Sequence, residues 1–158
     1  MKKLPQILAS ATAVAIAGAA IAGGHGSNPA VGARQAHMQL YGFHMGVLAN
    51  MAKGELEYDA DRASAAANNF VALTQLSHAN YWPPGSSNEE LGDETRALPA
   101  IWTEEGFAKI VGISTSLNEA AVALAAVAGD GQAAIGPMLG PVFQQCNACH
   151  EGFRQPRN

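Results

Sequence analysis

Cysteine is nearly absent from this 158-residue chain, and its two cysteines, Cys146 and Cys149, stand three positions apart near the C-terminus. No second Cys/His pair is present at ligand spacing, so a zinc site would lack half its ligands. No strand or βαβ context precedes the pair, as a thioredoxin-like dithiol would require. Strict apolar/polar alternation is missing throughout, which excludes a half-buried sheet. Basic charge is scarce too. The formal net charge is −4, and loss of Lys2 and Lys3 would make it more negative. Such a surface argues against nucleic acid and against an anionic membrane face, and allows a basic redox partner.

What is present begins with a leader. Lys2 and Lys3 precede an alanine-rich apolar run from Leu4 to Ile21, and Ala20-Ile21-Ala22 offers an A-x-A cleavage site. A transmembrane anchor is the other reading, but the apolar core is short for a span and rich in small residues. The expectation is a secretory signal peptide over residues 1–22, a periplasmic location, and one mature domain over 23–158.

Cys146-Asn147-Ala148-Cys149-His150 is the attachment signature of a c-type haem. Two thiols three positions apart lie on one face of a helical turn, so both can add to the vinyl groups of one porphyrin. His150 follows at the position from which an imidazole reaches the iron as proximal ligand. Thioether formation would also consume two thiols that an oxidising compartment would otherwise pair. A dithiol or disulfide is the remaining alternative.

The rest of the chain reads as helices. Asn28 is a fitting N-cap and Pro29 a fitting first residue for a helix that runs to Lys53 and stops at Gly54. Met38, Tyr41, Met45, Leu48 and Met51 recur at three and four along it. A second helix begins at Asp59, carries Phe70, Leu73 and Leu76, and fades near His78 to Asn80. Residues 82–99 form a long irregular segment, rich in proline and then in acid. A third helix opens at Pro99 and carries Trp102, Phe107, Ile110, Ile113, Leu117, Leu124 and Val127 to Gly129. A fourth covers Gln132 to Phe153, with a kink or frayed first half expected at Gly136, Pro137, Gly140 and Pro141. Four such helices predict an all-α, antiparallel up-down-up-down bundle.

At this point the chain resembles the class II c-type cytochromes, the cytochrome c prime family with its low-spin relatives. The resemblance rests on the C-terminal haem motif with Phe153-Arg154, Arg34-Gln35-x-x-Met38, Met51-Ala52-Lys53-Gly54 with Tyr58-Asp59, and Pro99-Ala100-Ile101-Trp102. It implies one covalent haem c between helices, and a homodimer built largely from the first two helices. It also implies haem contacts from Arg34, Gln35 and Met38, and from Glu94 and Thr95 in the loop before the third helix.

The resemblance makes the sixth iron position decisive, and Met38 stands there. A ligating Met38 would give a His150/Met38 pair, a higher reduction potential, an iron closed to gases and an electron carrier with periplasmic or membrane redox partners. A Met38 that only packs on the porphyrin would give a five-coordinate protein that binds nitric oxide or carbon monoxide. Gly42 and Gly46, one and two turns on, would let the helix approach the haem or a neighbouring subunit closely. His37 points about 100° away from Met38, and Met138 lies about 18 Å from His150 along its own helix. Met45 shares the face of Met38 two turns along, near the haem edge at best. His44 and His78 read as surface or partly buried residues with ordinary hydrogen bonds, and His25 as part of the leader. Arg34 reads as a solvated charge or a propionate partner, and Arg154 as a propionate partner or a complement to the helix C-terminus. A peroxidase would need a distal acid–base pair that the first helix does not offer, so no enzymatic activity is expected.

Overall fold

The computed structural model describes residues 28–156. The expected signal peptide and its cleavage site lie outside these, as does His25. Four long helices carry the fold: α1 (Pro29–Lys53), α2 (Ala60–Gln75), α4 (Glu104–Val127) and α5 (Gln132–Phe153), with a short α3 (Asn88–Leu91) inside the long connection. Each long helix packs on two neighbours, α1 on α2, α2 on α4, α4 on α5 and α5 on α1. The result is the expected antiparallel four-helix bundle.

Local chemistry fixes the ends. The Asn28 side chain accepts from the Ala30 and Val31 amides, and Gly54 closes α1 in the left-handed region at φ 76°. Asp59 caps α2 and Thr103 caps α4. The core is built from Leu48, Met51, Phe70, Leu124, Ile135 and Val142, all fully buried. Ala63, Ala66, Ala67, Ala121 and Ala128 are buried among them, and such small side chains let the helices approach closely. At one end of the bundle the Tyr58 hydroxyl donates to the Ala128 carbonyl at 3.0 Å and accepts from the Gly131 amide at 2.9 Å. One phenol thereby ties the α1–α2 turn to the α4–α5 turn.

Three local expectations change. The second helix ends at Gln75, because Leu76 turns extended at ψ 142°. Pro99–Trp102 is a separate 3-10 turn, and α4 starts only after the Thr103 cap. The first half of α5 is helical rather than frayed, since Pro137 and Pro141 both lie on its exposed face, where the carbonyls they leave unbonded can meet water. Phe107, on the first turn of α4, is 64% exposed.

Candidate functional site

The last three turns of α5 bring Cys146, Cys149 and His150 together. Both thiols are free and half-buried. Cys146 packs against the main core, whereas Cys149 packs on a second cluster formed by Ala97, Ile101 and Phe153 with Trp82, Trp102, Ile110 and Ile113. Burial pushes both thiols above their ordinary range, so they stand protonated rather than as metal-ready thiolates. Burial, and then the charges of Arg154 and Arg96, holds His150 below the usual histidine range. A neutral imidazole keeps the lone pair that iron needs. Two neutral thiols and a neutral imidazole on consecutive turns, flanked by apolar walls, fit haem c.

The end of α5 is stitched to the segment before α4. Ala97 and Arg154 form an isolated antiparallel bridge. The Leu98 amide donates to the Phe153 carbonyl at 3.0 Å and the Gln155 amide to the Arg96 carbonyl at 2.8 Å. An open cleft of about 790 Å³ follows this seam, lined by Arg96, Asn147, His150, Glu151, Arg154 and Pro156.

Arg34, Gln35, Glu94 and Thr95 come together as one group. Gln35 Nε2 donates to the Glu94 carbonyl at 3.0 Å. The Arg34 guanidinium corrects the expectation of a solvated charge, for the residue is only 4% exposed. It donates to the Tyr81 carbonyl at 3.2 Å, Ser86 Oγ at 2.9 Å, the Ser86 carbonyl at 2.6 Å and Thr95 Oγ1 at 2.8 Å. Its terminal nitrogens therefore clamp the long loop, and only Nε is left for a propionate. Thr95 Oγ1 also accepts from the Ala97 amide at 3.2 Å, which carries the clamp to the seam with α5.

Met38 stands apart from the core. It is 41% exposed, whereas Met45 is 5% exposed and Met51 fully buried. Met45 is thus a core residue, in the cluster against which Cys146 packs. A side chain built at Gly42 or at Gly46 would meet nothing, so the surface beside Met38 is open. His37 points elsewhere, as expected. It is buried with its ring centre 4.6 Å from that of His78, and Nε2 of each is buried without a hydrogen-bond partner. His78 is half-buried, within the range the sequence suggests, but it stacks on Tyr81 rather than standing alone. Sequence reasoning also missed Tyr81, Ser86 and Arg96. Their roles arise from loop contacts, and only the charge of Arg96 near Pro99 could have flagged one of them.

The profile of the family described as Cytochrome C' matches residues 29–154. A cytochrome c' from Cereibacter sphaeroides is 36% identical over 127 residues, covering 80% of this chain and 83% of its relative. A cytochrome c-554 from the same species is 35% identical over 123 residues, covering 77% and 90%. The solved structure of a cytochrome c' from Rhodobacter Spheriodes superposes with a TM-score of 0.76 at 35% identity, covering 81% of this chain and 96% of that one. A family whose cofactor is haem c, matched over nearly all of the described residues, joins the Cys146–His150 spacing to the bundle around it: the chain belongs to the cytochrome c' family of haem c cytochromes.

Proposed function

We propose that this protein is a periplasmic electron carrier with one haem c, bonded through Cys146 and Cys149 and ligated by His150 and Met38. Haem would supply the iron couple; Cys146 and Cys149 would hold it covalently, and His150 and Met38 would bind its iron. The observation that carries the reading is Met38. It is the exposed methionine among the described residues, its thioether is not consumed by packing, and α1 lies directly against α5. Arg34, Gln35, Glu94 and Thr95 border the haem through the clamped loop. Leu40 and Phe43, exposed on α1, supply an apolar face for a homodimer.

A second reading has its own support. A cytochrome c prime from Alcaligenes xylosoxidans, 25% identical, is known as a ferrous variant with bound NO. Another cytochrome c' shows a ligand-controlled dimer dissociation. A displaceable Met38 would make this protein a binder of nitric oxide or carbon monoxide. Adding carbon monoxide to the ferrous protein separates the readings. An unchanged visible spectrum supports Met38 ligation, and a shifted Soret band supports gas binding.

A further inference from the structure

His37 and His78 form a pair that neither the haem motif nor the packing of the core accounts for. His37 comes from α1 and His78 from the turn that follows α2, and their ring centres lie 4.6 Å apart, edge to face. His37 is buried. The Tyr41 ring meets it at 4.5 Å, and the Tyr81 ring lies 5.6 Å from it and stacks on His78 at 5.4 Å. The chain's own rings therefore enclose the pair, with no help from a porphyrin. Nε2 of both imidazoles is nevertheless buried without a hydrogen-bond partner. Leaving one such atom unmet costs about 1–3 kcal/mol, so two on adjoining rings point to a ligand. The tautomer of His78 is fixed as well. Its ring donates a hydrogen bond to the Leu73 backbone, and because Nε2 has no partner the donor is Nδ1–H. Nε2 is left with a bare lone pair, the arrangement of a metal-ligating histidine whose other N–H is held by a carbonyl.

We propose that His37 and His78 bind one copper(I) ion through their Nε2 atoms, joining α1 to the turn after α2. The surroundings choose the ion. Among the described residues no third histidine, cysteine or carboxylate completes a ligand group with them. Zinc asks for four donors, and a divalent charge buried without a carboxylate is costly. The Arg34 guanidinium, which donates to the Tyr81 carbonyl at 3.2 Å, adds repulsion that grows with the charge of the ion. Imidazole nitrogen suits copper, and copper(I) carries a single charge and accepts two donors. An entry path is at hand. The Tyr81 amide donates to the His78 carbonyl at 2.9 Å to close the turn, and Ser77, Ala79 and Asn80 beside it are exposed. A short outward movement of this turn would open the pair to solvent while α1 stays in place. The site depends neither on Met38 nor on the ligation of the haem iron.

The test titrates copper(I), without oxygen, into the haem-loaded protein in competition with the coloured copper(I) chelator bathocuproine disulfonate. Haem loading keeps the two cysteines out of the competition. The expected result is one copper(I) withheld from the chelator per chain, with an X-ray absorption spectrum that shows two nitrogen neighbours and no sulfur. His37→Gln and His78→Gln should each weaken the affinity by more than about 100-fold, beyond what loss of an outer-shell partner costs. A double variant, His25→Gln with His44→Gln, should keep it. His78→Gln alters an exposed turn and serves alone should His37→Gln fold poorly. Sulfur neighbours would assign the copper to a methionine and overturn the site. Failure to compete with the chelator, or an affinity unchanged in His78→Gln, overturns it equally.

Discussion

The Arg34 guanidinium lies 4.7 Å from the centre of the Trp82 ring. Trp82 in turn accepts, through its carbonyl, the indole N–H of Trp102 at 3.0 Å, and the two rings meet edge to face at 6.3 Å. Both indoles pack on the cluster that holds Cys149. The contact therefore links α1, which carries Met38, to the helix that carries the haem motif.

Arg34→Ala should destabilise the protein by about 3 kcal/mol, because it orphans buried loop oxygens and removes a ring contact. Arg34→Lys keeps the charge but not the fork, and should recover less than half of the loss. Denaturant unfolding of both variants checks this. Loss of the clamp should also increase hydrogen exchange in residues 81–97.

Histidine protonation should weaken the fold in mild acid. Burial, joined by the nearby His78 charge, lowers the His37 pKa; burial likewise lowers that of His78 against the opposing pull of a hydrogen bond to the Leu73 backbone. The unfolded chain takes up protons near the ordinary value of about 6.5, before the folded protein does. Stability is therefore full above that pH and falls as pH drops from it toward the lowered folded values. Thermal midpoints measured from pH 7.5 to 5 should decline, and His78→Gln should flatten the decline.

Gly106 marks a corner that no side chain fits. A Cβ there would collide with the Ala100 carbonyl and come within 2.9 Å of Thr103 Oγ1. Gly106→Ala should cost about 2–3 kcal/mol by forcing apart the 3-10 turn and the first turn of α4. Calorimetry checks the loss.

Cys146→Ala and Cys149→Ala should each leave one thioether, and the double variant none. Haem should then resist extraction by acidified acetone in the single variants and be extracted from the double variant. Extraction from a single variant as complete as from the double would contradict two-point attachment.

The bounds of α1 were legible because Asn28, Pro29 and Gly54 are local signals, and the haem motif was legible because its chemistry demands one spacing. The end of α2, the 3-10 turn and the burial of Arg34 were not. The Arg34 partners lie 47 to 61 residues away, in a loop whose path depends on tertiary packing. The exposure of Phe107 was not legible either, because helical spacing marks a stripe without saying what covers it. The prolines of α5 misled for a related reason: their cost depends on whether the freed carbonyls face water, and here they lie on the exposed face.

The measurement closest to the central claim is the low-temperature electron paramagnetic resonance spectrum of the ferric protein, taken beside that of Met38→Leu. The account predicts a low-spin signal in the natural protein and a high-spin signal in the variant. A high-spin signal in both would contradict Met38 ligation and assign this protein to gas binding instead.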